Sequence, residues 1–208
     1  MKYKANIFRF LLILIAFLFV TDTVLADKQG AMKRRKAAQV DKYDEILKME
    51  WPAKAKWASS GIHNSGNNTI EFFYPQGQSS SSWTEMGSIE IKPLTKTVNL
   101  TGLGRMIFLG TKESSPGTEW KILYKGKDDN DFSYIVFEII CPDFISGEKP
   151  QTQYWKMIHG FQFLFTVQYS YKDIDVPDEF QLPILEAINN ASVKLVEKKI
   201  ESESDKKE

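Results

Sequence analysis

The 208-residue sequence has a single cysteine, Cys141, so no disulfide can form within the chain. A domain of this length then rests on its hydrophobic core rather than on covalent staples. Histidine is nearly as scarce, with only His63 and His159. Neither has cysteines or acids around it at ligand spacing, so no metal site and no cofactor are expected. The sequence has no P-loop, dinucleotide fingerprint or nucleophile elbow, and "GLG" at 102–104 is too short to count. Neither sign of charge dominates, with 27 basic and 27 acidic residues. The first 26 residues hold three of the basic groups and one acid, which leaves 24 basic and 26 acidic groups in the rest. That slightly negative balance gives no reason to expect a nucleic-acid partner, which selects a basic surface.

The N-terminus carries the strongest pattern. "MKYKANIFR" is short and basic, and "FLLILIAFLFV" (residues 10–20) is apolar but short for a bilayer-spanning helix. "TDTVLAD" follows, with Val24 and Ala26 at the −3 and −1 positions of a cut before Asp27. These three parts in this order predict a secretory signal peptide over residues 1–26, hence a periplasmic or secreted protein with no integral membrane segment after cleavage. N-terminal sequencing of the fractionated protein is expected to begin at Asp27. A full-length chain in the membrane contradicts this.

Residues 27–50 read as a polar, basic linker, with a short helix over "YDEILKMEW". Residues 51–196 read as one α+β domain, and the charged end, 197–208, as a disordered tail. Within the domain the hydrophobic period is mostly two, which marks strands. "NTIEFFYP", "WTEMGSIEIK", "TEWKILYKG", "FSYIVFEIIC", "QTQYWKMIHG" and "FQFLFTVQYS" give about six, in an antiparallel sheet. "LTGLGRMIFLGT" predicts one helix between strands, although its glycines weaken it. Phe180, Ile184, Ile188, Ala191 and Leu195 step by three and four, so a C-terminal helix is expected to cover the sheet. Cys141 closes the run "YIVFEIIC" and is expected to be a buried small hydrophobe without a His partner.

Gly160 lies between two alternating runs, and the turn there is expected to use a positive φ. Two charges fall among apolar alternates. Trp83, Glu85, Gly87, Ile89 and Ile91 share one strand face, and Tyr154, Lys156 and Ile158 another. A buried charge must be paired or neutralised. Three readings follow: these faces meet solvent at the sheet edge, Glu85 and Lys156 form a structural ion pair, or Trp83, Glu85, Lys156 and Gln168 form a small polar binding site. No catalytic residue is assigned.

"FFYPQGQSSSSWTEMGSIEI" and "YWKMIHGFQFLFTVQYSY", over roughly residues 68–172, resemble an uncharacterised family of exported bacterial proteins of gammaproteobacterial type. The resemblance rests on Trp83-Thr84-Glu85-Met86, on Lys156, Ile158 and Gly160, and on Val167-Gln168. The chain departs from that family at Gln162 and Phe165, where an acid and a tyrosine are common. The element order is also similar to the fold of photosystem PsbP-like and Mog1-like proteins, which implies a binding module. The expected function is therefore an exported, non-enzymatic domain that binds an envelope or secreted protein. The alternatives are a secreted virulence-associated factor, or a hydrolase using Glu85 with Lys156.

Overall fold

The computed structural model describes residues 42–198. The expectations for the signal peptide, for the linker up to residue 41 and for the tail from residue 199 lie outside the described residues. The fold is α+β, as the hydrophobic periods require. Its strands are β1 (Tyr43–Lys48), β2 (Trp57–Ser65), β3 (Asn68–Pro75), β4 (Glu85–Pro93), β5 (Glu119–Lys127), β6 (Ser133–Cys141), β7 (Gln151–His159), β8 (Phe163–Tyr171) and β9 (Ser192–Glu197). Helix α1 (Leu100–Ser114) follows β4, and α2 (Asp178–Asn190) follows β8. Seven strands form one antiparallel sheet in the order β2-β3-β4-β8-β7-β6-β5, while β1 and β9 pair apart from it.

The two helices cover opposite faces of the sheet. On one face Leu100 of α1 joins Ile135, Phe137, Ile139, Cys141, Trp155 and Met157. Of the glycines that weaken α1 as an isolated helix, Gly104 has a packing role. A Cβ on Gly104 would stand 3.2 Å from the Phe137 ring, so the bare position lets the sheet approach closely. Asn99 caps α1 by accepting a hydrogen bond from the Gly102 N–H at 3.1 Å. Cys141 is fully buried, and burial pushes its thiol up to about 11, which leaves it unreactive.

On the other face α2 lays Ile184 and Ile188 over Val136, Tyr154, Val167 and Tyr169. The β1–β9 ribbon extends this cover, with Val193 and Leu195 over Phe132, Ile158 and Phe165. Two covers explain why β7, next to the central strand β8, is buried on both faces despite its polar residues.

Three sequence expectations change. "YDEILK" is strand β1, so the domain starts within the expected linker. Leu195 belongs to β9: α2 ends at Asn190, and its apparent four-residue step runs across the break at Ala191. Gly160 is not among the positive-φ residues of the described chain. Its role is close approach: a Cβ there would stand 2.9 Å from Cδ of Glu45.

Candidate functional site

The four residues expected to form one site have four separate sets of partners. Trp83 precedes β4, and the Lys172 ammonium lies 4.1 Å from its ring centroid. The serine-rich loop before it is tied down by Gln78, whose side-chain oxygen accepts from the N–H groups of Thr84 and Glu85.

Gln168 faces α1, on the side of the sheet away from Glu85 and Lys156. There it belongs to a satisfied polar row. Ser88 donates to its oxygen at 3.4 Å, and its amide donates to Ser170 at 2.9 Å. Trp155 beside it donates to Gln153.

Glu85 and Lys156 do share the α2 face, as their apolar neighbours require, but they do not pair. Glu85 stands opposite Tyr171 and Lys156 opposite Val167, four residues apart along β8. With β8 between their strands, their Cα atoms are roughly 16 Å apart at ordinary strand spacings, more than the two side chains can bridge. Neither the ion pair nor a reaction shared by these two groups survives this geometry.

Lys156 has a different partner set. Its ammonium donates to the carbonyls of Asn189 and Ala191 at 2.6 and 2.7 Å, at the C-terminal end of α2. It also lies 4.5 Å from the centroid of Tyr134. Helix carbonyls left without an intrahelical donor, with the helix dipole behind them, suit a cation. Burial pushes this ammonium down to about 8, opposed by the charge of Asp128. Lys156 therefore fastens α2 to the sheet.

Glu85 sits in the more site-like surroundings. Its carboxylate accepts from the Tyr169 hydroxyl at 2.9 Å. Tyr169 stands opposite Gly87 on the neighbouring strand, and the absence of a side chain at Gly87 makes room for the Trp51 ring. A Cβ at Gly87 would fall 2.6 Å from Trp51 Cζ2. Trp51 stacks on Trp57 at 5.0 Å and leans on Phe73, and Trp57 meets Tyr169 edge-on. Across the site, Tyr171 packs on Phe180 of α2. Lys54 pairs with Glu179 at 2.9 Å and lies over the Phe180 ring.

Trp51, Trp57, Phe73, Glu85, Tyr171 and Phe180 are all half-buried. Desolvation raises the Glu85 carboxyl above its ordinary range, against the lowering influences of Tyr169 and Lys54. Raised Glu85, and Tyr169 with its hydroxyl pushed up by burial and the adjacent carboxylate, form a hydrogen-bonded acid–phenol pair within an aromatic surround. Sequence reading found Glu85 but not Trp51, Trp57 or Tyr171 as its neighbours. The rise in aromatic density at Trp51 was the available signal. Gly87→Ala is expected to push the Trp51 ring aside, costing about 2 kcal/mol and changing the tryptophan emission. An unaltered spectrum and denaturation midpoint would show that Trp51 does not lie on Gly87.

Among the described residues no group of three or more His, Cys, Asp or Glu is placed to hold a metal ion. No described helix is long and apolar enough to cross a membrane. No family model matches the chain, and no curated protein matches it. Solved structures show limited likeness, two of them as follows. One is LpqN of Mycobacterium tuberculosis, described as involved in cell envelope biogenesis. It is 12% identical with a TM-score of 0.37, and the alignment covers 74% of this chain and 84% of LpqN. The other is the extracellular domain of PknH from the same organism, 7% identical with a TM-score of 0.30, over 81% of this chain and 97% of that one.

Proposed function

We propose that the protein is an exported binding domain of the bacterial envelope and that the Glu85 site is its recognition surface. The observation that carries this reading is one half-buried carboxylate ringed by five half-buried aromatic side chains from four separate segments: residues 51–57, β3, β8 and α2. Aromatic residues at this degree of burial combine large contact area with few rotatable bonds, which suits them as interface anchors. The signal-peptide pattern supplies the destination. Catalysis is not required by the arrangement: Lys156 holds α2, and the partner of Glu85 is a tyrosine whose hydroxyl is pushed away from ionisation.

The test is affinity capture from a solubilised envelope fraction, comparing the unaltered mature chain with Glu85→Gln and Tyr171→Ala. Neither substitution replaces a fully buried residue, although Tyr171 packs against the edge of the α2-side core, so the folded state of each variant is checked by its denaturation midpoint. Loss of the same captured component in both variants supports the reading. Equal recovery by all three proteins overturns it.

A further inference from the structure

We propose that the Glu85 site takes a positively charged alkylammonium group, such as a lysine side chain or a quaternary ammonium head group. This rests on the reading of Glu85 as a recognition surface and adds the chemistry of the ligand. Three features point to a cation.

The first is unused acceptor capacity. An ionised carboxylate offers about four lone-pair positions, and among the described residues Glu85 accepts one side-chain hydrogen bond, from Tyr169. The second is charge. Lys54 is the cation acting on Glu85, but its ammonium is held 2.9 Å from Glu179. Glu85, Lys54 and Glu179 together leave one net negative charge, and a guest ammonium would balance it. The third is the surround. Ring faces attract cations through their quadrupole, most strongly for tryptophan. The same rim already holds an ammonium group in this way, Lys54 at 4.8 Å from the Phe180 centroid.

A neutral sugar would also stack on such rings, but it does not need the carboxylate charge. An anionic ligand is disfavoured by that charge. A bound cation would in addition pull the Glu85 carboxyl back toward its ordinary range, because it stabilises the ionised form.

The experiment titrates the mature chain with choline and, separately, with 3,3-dimethyl-1-butanol, its uncharged isostere, while following indole and tyrosine ring signals by NMR. Choline is expected to shift Trp51, Trp57 and Tyr171 and to bind about tenfold or more tightly than the isostere, as desolvated cation–π contact with a nearby carboxylate implies. Glu85→Gln, which keeps an acceptor for Tyr169, is expected to remove that preference and leave weak, equal binding. Added salt is expected to weaken only the choline arm. Equal binding of both probes to the unaltered chain overturns the cation assignment while leaving an aromatic recognition surface in place. No shift at these rings with either probe also overturns it, and the envelope capture then decides separately whether the recognition reading falls. Tyr171→Leu serves as a second variant should Glu85→Gln fail to fold.

Discussion

Replacing Gly160 with Val is expected to lower stability by about 3 kcal/mol or more, with Gly160→Ala somewhat milder. The cause is contact rather than backbone conformation. The turn from β7 to β8 leaves three N–H groups pointing the same way, those of Phe161, Gln162 and Phe163. The buried carboxylate of Glu45 accepts from all three, at 3.1 Å for Gln162 and 3.2 Å for Phe163. Gly160 lies directly against that carboxylate, and any Cβ there would displace it. Displacement strands a buried charge and three donors together, and each loss is costly in a low-dielectric setting. Urea denaturation of a double-mutant cycle with Glu45→Ala separates the causes. If Glu45 transmits the cost, Gly160→Ala becomes nearly neutral in the Glu45→Ala background. A cost that persists unchanged would place the strain in the backbone and contradict this account.

The second large effect concerns Lys156. Lys156→Met is expected to cost about 3 kcal/mol near neutral pH, because two carbonyls at the end of α2 lose their donor and the half-buried Asp128 loses a nearby positive charge. The pH dependence has a definite sign. The ammonium titrates near 8 in the folded chain and near its usual 10.5 when unfolded. Between those values the unfolded chain binds more protons, so stability gains from this residue as pH rises through that window. Below pH 8 the penalty of burying the charge is constant. Tyr154, pushed up to about 12, works the other way at higher pH, because an unfolded phenol ionises first. The difference between the unaltered chain and Lys156→Met isolates the lysine. That difference is expected to change between pH 8 and 10 and to be flat from pH 6 to 8. A flat difference throughout would mean that Lys156 keeps its ordinary affinity for protons.

These two residues also show what the sequence could and could not convey. Strands β6 and β8 are legible because alternation or continuous apolarity reports burial directly. Strand β2, "WASSGIHNS", lies at an edge with most of its side chains exposed, so it has no apolar face to announce it. In β1, Ile46 and Leu47 are flanked by charges at spacings that fit either period. Glu85 and Lys156 stand out as charges among apolar alternates, and both do lie on the α2 face. Alternation gives the face of a strand but not its row, however, and the register along β8 sets the two groups four residues apart. Gly160 illustrates the same limit. Its constraint comes from Glu45, more than a hundred residues earlier, and no local pattern encodes that contact. The aromatic surround of Glu85 likewise draws on four segments that only the folded chain brings together.

The most direct test of the Glu85 surface as the recognition site is photo-crosslinking in intact cells. A benzophenone amino acid replaces Tyr171 in one strain and Tyr124 in another. Tyr124 is an exposed aromatic on edge strand β5, away from the site. A discrete adduct from position 171, absent at 124 and lost when Glu85→Gln is added, is the predicted result. Adducts of equal yield at both positions, or none at 171 with the protein present and folded, would contradict it.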